Sequence, residues 1–238
     1  MLPNITPKFP NRSTSRSESV SRGLSLFFDH LGPAVLWAII PLCKVASLIG
    51  YLAQEQAAHP AILIAAFIVQ QVLTIGFGVL VVVLFLARRP VVGQRASASG
   101  RIVAMAGTFA LQIPGAYPVP DDQLGRLLAS SALIAIGMGI AISGIVSLRR
   151  NFGIFPEARG LVTNGLYRYV RHPLYLGEMI AGLGLTLGTT WLPAFGLFAV
   201  QCGLLYWRTV LEERALTASF PAYPDYRRRT CRLIPGIY

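Results

Sequence analysis

The chain has 238 residues, 54% of them apolar and only 13% charged, against the ~25% charged residues of a soluble domain. That contrast excludes a disordered chain and argues against an ordinary soluble enzyme, leaving a polytopic membrane protein. The net charge of +11 falls at the ends of apolar runs, so it reads as positive flanks on an anionic membrane face, not as a nucleic-acid surface.

Residues 1–29 are polar and basic, too long a lead for the n-region of a cleaved signal. They read as a cytoplasmic tail ending in an interfacial stretch near residues 24–28. The first apolar run, about 31–53, contains Pro41 and Lys44. Lys44 sits mid-run, where a lysine either snorkels or finds an interior contact. The second run, 61–87, is uncharged over 27 residues and long enough to span with some tilt. A third, about 102–119, is short and broken by Pro114, Gly115 and Pro118. The fourth, 127–148, is rich in small residues, and Gly137, Gly139 and Gly144 permit close helix approach.

Residues 151–173 are polar and turn-rich. The stretch 174–207 then carries one charge, Glu178, and as a single helix it would overshoot a ~30 Å apolar core. A break at 188–193 resolves this into a hairpin of two short helices. Residues 208–238 read as a charged helix start, which Glu212 and Glu213 open, followed by a basic tail. The expected fold is therefore all-α, a polytopic integral membrane protein with five or six transmembrane segments. It divides into a tail (1–29), four N-terminal segments (30–150) and a C-terminal portion (151–238). The loops at 88–101 and 149–171 and the tail are basic, whereas 54–60 and 120–126 are not. Both termini are thus expected on the cytoplasmic side.

The three histidines (His30, His59, His172) lie far apart and form no local metal motif, and the three cysteines form no CxxC. Cys43 and Cys202 read as small packing residues. Polar and aromatic groups concentrate in two places: Gly165 to Glu178 (GLYRYVRHPLYLGE), and Glu212-Glu213-Arg214 with Phe220, Tyr223, Tyr226 and Arg227 to Arg229. The hairpin between them starts and ends on one side, so both clusters should meet at one membrane face. Pro173 suits the first turn of a helix, with Arg171 and His172 at a mouth that favours an anionic group. Tyr175 and Glu178 share a face, and Gly177 leaves room for something to lie close. The residues taken alone also fit plain positive-inside anchors and an aromatic belt.

At these residues the sequence resembles the isoprenylcysteine carboxyl methyltransferase family, and more broadly the membrane methyltransferases that include the phospholipid methyltransferases. GLYRYVRHPLYLG fits G-x-Y-x-x-x-R-H-P-x-Y-x-G, and Glu212-Glu213-Arg214, Phe220, Tyr223, Tyr226 and Arg232 to Pro235 fit its C-terminal half. The resemblance covers roughly 155–236. It implies S-adenosyl-L-methionine as cofactor, with S-adenosyl-L-homocysteine as product, bound on the cytoplasmic side by a catalytic C-terminal portion. Tyr167, Arg171, His172, Pro173, Tyr175, Leu176, Glu212 and Glu213 would line the cofactor pocket. Tyr167 and Leu176 would shape the adenosine part, and Glu212 or Glu213 would meet the amino group or ribose. The implied acceptor is a lipophilic molecule, lipid or prenylated compound entering between helices. Arg208 or Arg227 would hold an acceptor carboxylate, or Glu178 or His172 would serve as base for an amine.

Glu178 departs from the bulky residue of the eukaryotic enzymes and matches bacterial relatives, so the expected location is a prokaryotic inner membrane. A lipid or small-molecule N- or S-methyltransferase, an NADPH-dependent sterol-type reductase and a non-catalytic membrane protein are the alternatives. Neither a metal nor an obligate protein partner is expected.

Overall fold

The computed structural model describes residues 31–53, 60–92, 95–109, 123–190, 192–234 and 236. The N-terminal tail, His30, His59 and the second half of the third apolar run lie outside them. The described residues form seven α-helices: α1 Gly32–Leu52, α2 Ala61–Ala87, α3 Ala98–Phe109, α4 Leu124–Leu148, α5 Pro173–Leu187, α6 Pro193–Ser219 and α7 Tyr223–Arg229. Helices α1, α2, α4 and α6 are long and apolar enough to cross a membrane, and α5 is a shorter apolar helix. Large apolar side chains such as Val35, Leu42, Ile62, Ile136 and Val200 face outward. A soluble protein would bury that surface, whereas lipid accepts it. The chain is an all-α, multi-pass membrane protein.

Helix α4 packs along α5, and α1 along α2. The α4–α5 contact is backbone against backbone, because glycines face each other across it. A Cβ built on Gly137 would lie 2.4 Å from the Ala181 nitrogen, and one on Gly177 would lie 2.5 Å from the Ala141 nitrogen. Gly144 abuts Leu174 at the start of α5, and Gly184 abuts Ser130 and Ile134. What lies close to Gly177 is thus α4. Gly139 has nothing within 4 Å of its would-be Cβ, so it takes no part in this seam.

The two helices of the hairpin are unequal. α5 has 15 residues, whereas α6 runs 27 residues without interruption to Ser219. Glu212 and Glu213 therefore sit inside a long helix and do not open a new one. The reason is local: RTVLEERALTAS contains neither Pro nor Gly and is built largely from good helix formers, so nothing stops the helix after the apolar part. Pro193 starts α6 and Pro173 starts α5, each where its missing N–H costs nothing. Cys43 is exposed on α1 and Cys202 half-buried, so Cys43 is a surface residue of the bundle and not a packing residue.

The basic segments gather at one end of the bundle. Arg89 N–H donates to the Arg150 carbonyl at 2.7 Å, Val92 N–H to the Ala158 carbonyl at 2.7 Å, and the Ser219 hydroxyl to the Val92 carbonyl at 3.3 Å. At the other end, Arg126 Nε donates to the Leu187 carbonyl at 2.7 Å, and its Nη2 to the Thr189 carbonyl. One arginine thus satisfies carbonyls that the end of α5 leaves open.

Candidate active site

The C-terminal segment is stitched to the approach of α5. Arg171 N–H donates to the Cys231 carbonyl (2.8 Å), His172 N–H to the Arg232 carbonyl (3.1 Å), and Cys231 N–H to the Tyr169 carbonyl (3.1 Å). The two polar clusters, far apart in sequence, form one site at the basic end of the bundle. Gly165 opens this approach at φ +58°, and its would-be Cβ lies 2.7 Å from the Ser147 hydroxyl. Both the backbone angle and the space require glycine there.

Glu213 and Glu212 have different surroundings. Glu213 is buried and accepts from Arg171 Nε (2.8 Å) and from Arg232 Nε (3.1 Å) and Nη2 (2.9 Å); His172 Nε2 lies 3.3 Å away. A carboxylate surrounded this way is spent on holding three chain segments together. Glu212 has a side chain 20% exposed. It accepts the Tyr175 hydroxyl, with Arg208 Nε at 3.7 Å and His172 Nδ1 at 3.6 Å. The His172 ring stacks on Tyr175 (centroids 5.6 Å apart, 11° between planes), and the Arg208 guanidinium lies 4.7 Å from the Tyr175 ring centre. Tyr175, His172 and Arg208 therefore fix the direction in which Glu212 points.

A pocket opens beside this group. His172, Tyr175 and Glu212 line it with Tyr167, Arg171 and Leu174, and its far wall comes from Leu148, Asn151, Gly153, Glu157 and residues 159–162. Tyr223 and Tyr226 close the side toward α7. The Tyr226 hydroxyl donates to the Tyr167 carbonyl at 2.7 Å. Burial pushes the phenols of Tyr167 and Tyr226 up, the latter to about 12, so both are neutral hydrogen-bonding groups at physiological pH. Two buried polar atoms on this wall, Asn151 Oδ1 and the Tyr223 hydroxyl, have no hydrogen-bond partner. The far wall is held by its own pair: Arg159 Nη2 meets Glu157 Oε2 at 2.8 Å, while Glu157 Oε1 accepts Ala96 N–H at 3.1 Å.

Of the residues that the motifs single out, Tyr167, Arg171, His172, Tyr175 and Glu212 line the pocket. Glu213 and Arg208 stand behind it, and Pro173 is buried as the first residue of α5. Leu176 does not line it. Glu178 lines a second cavity between the helices. Arg227 is exposed, and its carbonyl accepts from Arg171 at 2.9 Å while its side chain borders a separate open depression. The sequence reading did not single out Asn151 as a site residue, nor Arg232, Tyr223 and Tyr226 beyond their place in the family pattern. Arg232 carried a usable signal, an arginine just before the Leu-Ile-Pro ending. Asn151 carried none.

The fold is thus an all-α membrane protein with a polar pocket at the mouth of a short helical hairpin, and comparison with known proteins shows what this portion is similar to. Residues 126–222 match the phospholipid methyltransferase family model. The protein-S-isoprenylcysteine O-methyltransferase of Schizosaccharomyces pombe is 34% identical over 116 residues, 48% of this chain and 46% of the relative. The nickel-cobalt-cadmium resistance protein NccN of Alcaligenes xylosoxydans xylosoxydans is 31% identical over 111 residues, 45% of this chain and 52% of the relative. The cobalt-zinc-cadmium resistance protein CzcN of Cupriavidus metallidurans is 37% identical over 78 residues, 32% of this chain and 36% of the relative. The chain thus spans about half or less of the length of the curated relatives it matches. Among solved structures, the eukaryotic intramembrane Ras methyltransferase, an isoprenylcysteine carboxyl methyltransferase, superposes with a TM-score of 0.49 at 17% identity, covering 92% of this chain and 86% of that one.

The stretch that matches the phospholipid methyltransferase model, residues 126–222, includes both helices of the hairpin and the residues around Glu212.

Proposed function

We propose that this chain is an S-adenosyl-L-methionine-dependent methyltransferase that modifies a lipophilic acceptor at the end of the bundle where its basic segments gather, the cytoplasmic side by the charge rule. The observation that carries the reading is the pocket wall. Asn151 Oδ1 and the Tyr223 hydroxyl are buried without partners there, facing the same space as the partly exposed Glu212 carboxylate. Buried polar atoms are normally paired, so these two are suited to a polar ligand. Tyr167, Tyr223 and Tyr226 offer aromatic faces for a purine, and Leu148, Leu174 and Leu216 an apolar floor. The enclosed part measures about 70 Å3, less than ligand pockets usually enclose, so a nucleoside would also occupy the open mouth.

The cofactor, when bound, supplies a methyl group already activated on a sulfonium. The chain's own residues then have positioning to do. Glu212, aimed by Tyr175, His172 and Arg208, would hold the ribose hydroxyls or the amino group. Glu213 would act behind it, fixing Arg171 and His172. Arg208, buried against Tyr175 and beside Glu212, would serve the site from within, whereas Arg227 is directed to the surface. Titration calorimetry with S-adenosylhomocysteine on the protein in lipid nanodiscs tests the reading. Saturable binding that weakens roughly tenfold to a hundredfold in Glu212→Ala is expected, and absence of binding by folded protein overturns it.

A further inference from the structure

A second cavity of about 140 Å3 lies within the apolar part of the bundle, walled by α1, α2, α4, α5 and α6. Its apolar lining includes Trp37, Phe77 and Met138, but Lys44, Glu178 and Gln201 line it too. Charged side chains at membrane depth are costly and turn toward protein or a cavity with a task. Glu178 Oε2 and Gln201 Oε1 are buried acceptors with no hydrogen-bond partner, and Gln201 is only 5% exposed. The Thr74 hydroxyl on the same wall is already spent on the Gln70 carbonyl at 2.8 Å. Beside the Gln70 amide, the cavity therefore presents two acceptors that need donors and one ammonium that can only donate.

We propose that this cavity binds a ring-sized, hydroxyl-bearing group of the methyl acceptor. The choice of group follows from the inventory. An ammonium cannot accept from Lys44, and a carboxylate cannot donate to Glu178, whereas a hydroxyl does both. The size is set by the volume, close to the ~150 Å3 engineered cavity of another protein that takes up one benzene. Trp37 and Phe77 supply flat walls for a ring, and a longer tail would leave toward lipid. Glu178 stands three residues after Tyr175 on α5, so one helix contributes to the walls of both this cavity and the pocket of the candidate site. Lys44, Glu178 and Gln201 are specificity residues in this scheme, which rests on the methyltransferase reading for the role of the ligand but not for its binding.

The test uses the full chain in phosphatidylcholine nanodiscs. Trp191→Phe and Trp207→Phe together leave Trp37 as the single tryptophan. Its emission is followed during titration with para-heptylphenol, heptylbenzene and para-heptylbenzoate. The phenol is expected to bind saturably and about tenfold or more tighter than the other two, the discrimination a hydrogen bond to a charged group gives. Glu178→Leu should remove that preference and Glu178→Gln, which keeps a carbonyl acceptor, should retain part of it. If Glu178→Leu does not fold, Gln201→Leu carries the same expectation. Equal binding of phenol and hydrocarbon, or tightest binding of the benzoate, overturns the proposal. Calorimetry with S-adenosylhomocysteine on the same samples separates the two readings: cofactor binding without phenol preference sinks only the cavity, and the reverse sinks only the methyltransferase.

Discussion

Arg171 and Glu213 are joined by a hydrogen bond of 2.8 Å between Nε and Oε1, and through it the start of α5 is locked to the last third of α6. Arg232 and His172 converge on the same carboxylate. Three segments that are separate in sequence, 171–172, 213 and 232, thus share one buried anion. The pocket takes its shape from that junction.

Removing this anion should be costly to the fold. Glu213→Ala leaves Arg171 and Arg232 as buried cations without their carboxylate, and breaking a buried pair in this way costs about 3–5 kcal/mol. The expected outcome is a large drop in melting temperature in detergent. Glu213→Gln, which still accepts hydrogen bonds, should fall between this variant and the parent. A melting temperature unchanged in Glu213→Ala would show that the junction carries no stability.

Glu212→Ala should cost the fold less and the bound ligand more. Its carboxylate is partly exposed and borders the pocket, so its loss should lower the melting temperature less than the loss of Glu213 does, through the contacts it gives Tyr175 and Arg208. A charge-assisted hydrogen bond is worth about 1.5–3 kcal/mol, or roughly tenfold to a hundredfold in affinity. Calorimetry with S-adenosylhomocysteine should register that loss. An unchanged affinity would place the cofactor elsewhere.

The α4–α5 seam makes a prediction about a single methyl group. Gly177→Ala puts a Cβ 2.5 Å from the Ala141 nitrogen and the Gly137 oxygen, both backbone atoms that cannot move aside without shifting a helix. Overpacking of this kind costs about 1–3 kcal/mol. Gly139→Ala meets nothing within 4 Å and should be neutral or stabilising, since alanine is the better helix former by about 1 kcal/mol. Thermal denaturation of the two variants side by side checks this, and equal melting temperatures would contradict it.

Alkaline titration probes the clasp between α7 and the loop before α5. Burial raises the Tyr226 phenol from 10.0 to about 12, against an opposing effect from Arg171. A folded state that binds its proton more tightly than the unfolded chain is stabilised fully below pH 10, and loses that contribution as pH rises through 12. Tyr167 and Tyr223 shift in the same direction. Stability should therefore fall between pH 10 and 12, and Tyr226→Phe should fall less steeply over that window. Denaturant midpoints measured across it decide the matter, and identical slopes in parent and variant would reject the assignment.

Much of this architecture was legible in the sequence because membrane solvation acts on composition. Uncharged runs over 61–87 and 127–148 can only be helices buried in lipid or protein, and α2 and α4 fall there. Gly137 and Gly144 were readable as contact points, and the meeting of the two polar clusters followed from a hairpin that must return to its own side. The single-residue assignments were less legible. Neighbouring positions on a helix point about 100° apart, so Glu212 and Glu213 cannot share a role. Which one faces the pocket depends on the phase of α6, and that phase is fixed by packing 27 uninterrupted residues against the rest of the bundle. The same holds for Lys44, Glu178 and Gln201, which lie on three helices and share a cavity only because those helices pack as they do. Sequence alone determined the solvent, the helical character of the apolar runs and the neighbourhood of the candidate site, since these follow from where water is excluded; the count of segments it left at five or six. The tertiary structure decided which side chains face one another, because that depends on helix rotation and on contacts between residues far apart in the chain.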